Sequence, residues 1–153
     1  MNAHSVIHST FSLERTYRAT PARVFAAWAD PGAKARWFAG PDSEHSLDFR
    51  AGGHEMARGA NREGDMLTFQ STYHDIVPRA RIVYGSSLSV ADKLATVSLT
   101  TVEMSPAGDG TRLVLTEQGT YLDGLEDPAW RERGTGQQLD ALDTELKKDR
   151  TQP

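Results

Sequence analysis

From His45 to Tyr121 the chain offers one strand after another with no room between them for a crossover, and this limits the fold more than any other feature. Leu47 and Phe49, Leu67 and Phe69, Ile82 and Tyr84, Val97 and Leu99, and Leu113 and Leu115 each stand two residues apart. That is the period at which side chains share one face of a strand. Short turn clusters separate the runs: Ala51-Gly52-Gly53, Asn61 to Asp65, Pro78-Arg79-Ala80 and Pro106 to Gly110. A parallel return needs roughly a dozen residues or more. The runs therefore form an antiparallel meander.

Helical signals flank the meander. Phe11, Leu13, Arg15 and Tyr17 alternate with Ser12, Glu14, Thr16 and Arg18 as a first strand. Thr20-Pro21 and Asp30-Pro31 then each supply a cap and a first-turn proline for a short helix, and Gly40-Pro41 stops the second. The next strand is expected to carry Asp48-Phe49-Arg50 into the glycine turn. Asp127-Pro128 opens a last helix on which Leu139, Leu142 and Leu146 recur at helical spacing. That stripe is thin, because Gly134, Gly136 and Gln137-Gln138 interrupt it and each glycine costs about 1 kcal/mol against alanine. The expected fold is α+β: a curved antiparallel sheet wrapped around a long C-terminal helix, with two short helices after the first strand. It is expected to be one domain over residues 1–153 with its core at about 11–148. A helix so sparsely apolar does not seal a twisted sheet, and the groove left between them is the kind of space where small ligands bind.

Composition removes several function classes. The net charge is −4, from 17 basic and 21 acidic groups, and no like-charge block is longer than Lys147-Lys148, so no footprint for nucleic acid exists. Without cysteine there is no disulfide, thiolate nucleophile or Cys-ligated metal. The first ten residues lack a signal-peptide layout, and no run approaches the roughly 18 apolar residues of a membrane span. A cytoplasmic protein without membrane insertion is expected.

Trp28-Ala29-Asp30-Pro31, Trp37-Phe38 with Gly40-Pro41, Asp48-x-Arg50-x-Gly52-Gly53, Ile76-Val77-Pro78 followed by Arg81-Ile82-Val83, and Gly110-Thr111-Arg112-Leu113 resemble homologues of the C-terminal domain of the heat-shock-protein-90 ATPase activator. That family lies within the START-like, helix-grip superfamily called SRPBCC. The resemblance runs from about Phe11 to Leu146, and it implies a ligand cavity. The superfamily includes lipid and hormone binders, polyketide cyclases and oxygenase domains, among which fold alone does not choose. Where family members commonly carry large aromatic residues this chain has Ser86 and Thr135, which implies a roomier groove beside them.

The inner-face residues expected to line that groove are Phe49, Met56, Phe69, Tyr73, Tyr84, Leu99, Leu115, Glu117 and Leu139. Glu117 continues the Leu113, Leu115 face and is either an acid or base in the groove or a rim residue that is solvated or paired with an arginine. Asp48 and Arg50 suit a structural ion pair, and Gly52 and Gly53 a tight turn. His54-Glu55 and His74-Asp75 do not chelate a metal locally, since strand neighbours point to opposite faces. His74 reaches the groove only if a bulge shifts its phase. Gly85-Ser86-Ser87 lacks the glycine after serine that a nucleophile elbow requires, and no dinucleotide or phosphate-loop motif calls for a cofactor.

Three functions remain. The first is a binding protein for a small apolar or amphipathic molecule, with no assigned reaction. The second is a cyclase, dehydratase or hydrolase using Glu117 or His74 with Tyr73. The third is a co-chaperone-like interaction module that docks on a chaperone. Trp130 sits either at the groove's mouth or in a homodimer contact.

Overall fold

The computed structural model of the chain describes residues 4–150. In chain order the elements are β1 (Val6–Tyr17), α1 (Pro21–Ala29), α2 (Pro31–Lys34) running into a π-helical turn (Ala35–Ala39), β2 (Glu44–Leu47), β3 (His54–Ala60), β4 (Met66–Val77), β5 (Arg81–Val90), β6 (Lys93–Ala107), β7 (Gly110–Leu122) and α3 (Pro128–Arg150). The strands form one antiparallel sheet in the order β1-β7-β6-β5-β4-β3-β2. β2 to β7 pair sequentially as the meander requires, and β1 closes onto β7.

Local chemistry explains where the helices begin. Thr20 Oγ1 accepts Arg23 N–H at 3.2 Å, and Asp30 Oδ2 accepts Ala33 N–H at 2.8 Å. Each cap thus satisfies a donor that the first helical turn leaves open, and each precedes a proline that needs no partner there. Asp127 does the same for α3 by accepting Ala129 N–H at 2.8 Å. After Lys34 the helix widens, and Gly40 N–H reaches back five residues to Ala35 O at 2.9 Å. Gly40 leaves the turn at φ 90°, a conformation natural to glycine.

α3 lies across the inner face of the sheet. Leu139, Leu142 and Leu146 are buried there with Val24, Trp28, Ile82, Val102, Leu113 and Leu115. Tyr17 OH donates to Leu139 O at 2.8 Å, which ties the helix to β1 at the start of its apolar stripe.

Two departures from the sequence expectation concern turns. Asp48-Phe49-Arg50 is not strand: β2 ends at Leu47, and the chain folds on itself through Arg50 N–H to Asp48 O (3.1 Å) and Gly53 N–H to Arg50 O (2.8 Å). A Cβ on Gly53 would stand 2.1 Å from Asp48 O, so only glycine fits. The second is the β5–β6 hairpin, which turns through Ala91 (φ 49°) and Asp92 (φ 67°) without a glycine. Positive φ at both central residues is the geometry that favours Asn-Gly, and alanine there costs about 1 kcal/mol. Ala91→Asn is expected to stabilise the protein by about 0.5–1 kcal/mol, read as a higher midpoint in urea unfolding with an unchanged slope.

Strand polarity is inverted in two places. On β6 it is Thr96, Ser98 and Thr100 that face inward and are buried, while Val97 and Leu99 face out at 46% and 41% exposure. On β3, Glu55 is buried and its neighbour Met56 lies on the outer face beside Gln70, across from Ser87.

Candidate functional site

A cavity of about 350 Å³ lies between the first half of α3, the π-turn and the inner faces of β3, β4, β5 and β7. Trp37, Phe38, Phe69, Tyr84, Leu88, Leu115 and Leu139 give it apolar walls, and Trp130, 59% exposed, stands at its edge. The space exists because α3 presents Gly134 and Thr135 to it. A Cβ built on Gly134 meets nothing within 4 Å.

The π-turn supplies much of the wall. The extra residue in the turn brings the consecutive residues Trp37 and Phe38 to the same cavity. Trp37 Nε1 donates to Ala27 O at 2.9 Å, and the Phe38 ring meets Phe69 at 5.4 Å between centroids. Gln138 Nε2 donates to Phe38 O at 3.0 Å, fixing the turn to α3. The Nε1 of Trp28, another wall residue, is buried without a partner among the described residues.

One corner of the cavity is charged. Arg131 Nη1 donates to Glu117 Oε2 at 3.1 Å, while its Nε and Nη2 grip Glu126 at 3.0 and 2.9 Å. Thr100 Oγ1 donates to Glu117 Oε1 at 2.8 Å and Thr96 Oγ1 to Glu126 Oε1 at 2.5 Å. Thr96 and Thr100 face inward because these carboxylates need donors. Burial lowers Arg131, but Glu126 and Glu117 outweigh it and hold the guanidinium above its usual range.

Behind Phe38 lies a second polar cluster, closed to solvent. Lys34, 0% exposed, donates from Nζ to both oxygens of Glu55 at 2.9 and 3.1 Å. Tyr73 OH donates to Glu55 Oε1 at 2.6 Å, and His45 Nε2 lies 2.8 Å from Glu55 Oε2. Because an ionised carboxylate only accepts, Nε2 carries the proton. The ammonium also lies 4.3, 5.0 and 5.6 Å from the ring centroids of Phe38, Trp28 and Trp37, a cation–π cage. Burial pushes the Glu55 carboxyl up, but Lys34, His45 and Tyr73 together bring it down to about 2. Burial also lowers Lys34, against the pull of Glu55.

Of the nine residues expected at the groove, Phe69, Tyr84, Leu115, Glu117 and Leu139 border this cavity. Tyr73 is buried one layer away in the Lys34–Glu55 cluster. Phe49 is half-buried between Phe25 and Tyr73, with centroids at 5.6 and 5.1 Å. Met56 and Leu99 must be corrected, because they lie on the opposite face of the sheet; the inward positions beside them belong to Glu55, Ser98 and Thr100. Thr135 borders the cavity as expected of a roomier groove. Ser86 does not: it is buried, with its hydroxyl 2.7 Å from that of Ser71. A bulge does fall at His74, between Tyr73 and Asp75, yet His74 stays exposed on the outer face. Asp48 and Arg50 form an exposed pair at 2.8 Å.

Sequence reasoning missed Lys34, His45, Glu55, Glu126 and Arg131. The signal for Lys34 was its place three residues before Trp37, on the buried side of a helix whose exposed residues are Pro31 and Gly32. Among the described residues no group of three or more His, Cys, Asp or Glu side chains is placed to hold a metal, and no helix is long and apolar enough to cross a membrane.

A seven-stranded curved antiparallel sheet gripping a C-terminal helix defines a helix-grip, START-like domain. The chain belongs to the family described as activator of Hsp90 ATPase homolog 1-like proteins, whose model matches residues 18–147. A solved structure of an uncharacterised protein from Rhizobium leguminosarum is 38% identical, covers 96% of this chain and 99% of its own, and superposes with a TM-score of 0.92. A protein from Rhizobium loti is 46% identical over 92% of this chain and 99% of its own, with a TM-score of 0.86. One from Chromobacterium violaceum is 27% identical over 90% and 96%, with a TM-score of 0.75. No curated protein matches the chain.

Proposed function

We propose that this chain binds a small, partly apolar molecule in the cavity between α3 and the sheet, with the guest's polar end at the Glu117–Arg131–Glu126 corner. The observation that carries this reading is the combination of an aromatic-walled space of about 350 Å³ with one charged corner. An apolar body is desolvated by the walls, and a few placed polar groups set its orientation. Trp28 Nε1 offers a further donor for a polar atom of the guest or a water.

A catalytic use of Glu117 has less support. Its two oxygens are already bonded to Thr100 and Arg131, the arrangement of a fixed recognition group rather than of a base awaiting a proton.

The test is a cavity-filling substitution. Thr135→Trp puts an indole into the space without removing any buried polar group. Native mass spectrometry of the freshly purified protein should show a retained small molecule, and the variant should lose at least about tenfold in affinity for it while unfolding within a few degrees of the parent. A variant that keeps the guest, or a parent that retains none and binds nothing in ligand-observed NMR, would refute the reading.

A further inference from the structure

We infer that the guest of this cavity is a cation, a protonated amine on an apolar body, a reading that rests on the cavity being the binding site. The charged corner is not balanced. Two carboxylates, Glu117 and Glu126, share one guanidinium, and the side chains are only 7%, 15% and 10% exposed for Glu117, Glu126 and Arg131. Among the described residues, Glu117 and Glu126 have no ion pair besides those with Arg131. Arg58 borders the cavity, but its side chain leaves on the outer face of β3, in line with Met56. The amino end of α3 is capped by Asp127. Lys34, behind Phe38, is matched by Glu55.

Acceptor capacity points the same way. Each oxygen of Glu117 takes one hydrogen bond in the structure and a carboxylate oxygen has room for about two. An ammonium, with three donors and no acceptor, uses that spare capacity; a carboxylate guest would set a third negative charge beside two.

The walls give an independent argument. Trp37, Phe38, Phe69, Tyr84 and Trp130 surround the space, and aromatic faces attract cations. The protein already holds one ammonium in this manner, since Lys34 Nζ sits 4.3 Å from the Phe38 centroid and 5.6 Å from that of Trp37.

Three probes with one apolar body decide the matter: 3-phenylpropylamine, 3-phenylpropan-1-ol and 3-phenylpropanoate, titrated into the full chain near pH 7 and followed by amide and indole shifts of Trp130, Thr135 and Phe69. The amine should bind at least about tenfold tighter than the carboxylate, with the alcohol between them. Glu117→Gln and Glu126→Gln, which keep the side-chain shape, should each cut the amine-to-alcohol ratio by about threefold or more. A carboxylate that binds as well as the amine, or a ratio unmoved in both folded variants, would overturn the charge assignment. Alcohol binding without amine preference would leave the cavity as the site and remove only the cation. Silence of all three residues with all three probes would overturn the site itself.

Discussion

Replacing Lys34 with methionine is expected to destabilise the fold by about 3–5 kcal/mol, because it strands a buried carboxylate. Methionine fills much of the same space between Phe38, Trp28 and Trp37, so little of the loss comes from packing. What goes is the ammonium that makes two hydrogen bonds to Glu55, leaving that side chain with Tyr73 and His45 alone. The double variant Lys34→Met with Glu55→Leu should recover most of the loss, since replacing a whole buried ion pair with apolar residues is often neutral or better. Urea unfolding of the single and double variants measures both. A single variant within about 1 kcal/mol of the parent would show that the pair contributes nothing.

The same pair sets an acid limit. The Glu55 carboxyl falls to about 2 in the folded protein, below its value in an unfolded chain. A depressed carboxyl gives stability that is complete above the unfolded value and is lost as pH falls through the folded one. Stability should therefore decline between about pH 4.5 and 2, by on the order of 3 kcal/mol from this group. Glu145, lowered chiefly by its hydrogen bond from Arg36, declines in the same direction. The decline in Lys34→Met should be shallower than in the parent, and that difference isolates Glu55.

Arg131→Met is the second substitution of large effect. It leaves Glu117 and Glu126 facing one corner with only Thr100 and Thr96 as donors, and the expected cost is again about 3–5 kcal/mol. Adding Glu126→Gln should restore much of the stability at neutral pH. A deficit unchanged by Glu126→Gln would mean that Arg131 acts through packing alone.

The fold was legible because its determinants are local. Period-two runs, turn glycines and the Thr20-Pro21, Asp30-Pro31 and Asp127-Pro128 caps each act within a few residues. The hidden turn at Ala91-Asp92 shows the limit of that reading, since two non-glycine residues take a backbone usually announced by glycine. The candidate site was only half legible, for a related reason. An apolar-in rule assigns strand faces correctly wherever the interior is apolar, as for Phe69, Tyr84 and Leu115. It fails where the interior is polar: it turns Leu99 and Met56 inward, where the structure buries their neighbours Thr100 and Glu55. Their true direction depends on partners far along the chain. Glu55 turns inward for Lys34, 21 residues away, and Thr100 for Glu117, 17 residues away. Charge balance is written in three dimensions, and no spacing within one strand reveals it.

The π-turn at Ala35–Ala39 has a consequence for how such a cavity changes over time. A π-turn is an α-helix holding one residue too many. Excising that one residue lets the segment close to ordinary winding while the chain on either side keeps its register. The turn that holds Trp37 and Phe38 together at the wall would then be lost, while the sheet and α3 stayed as they are. The wall of this cavity can thus be reshaped by one codon lost, with the sheet and the last helix untouched.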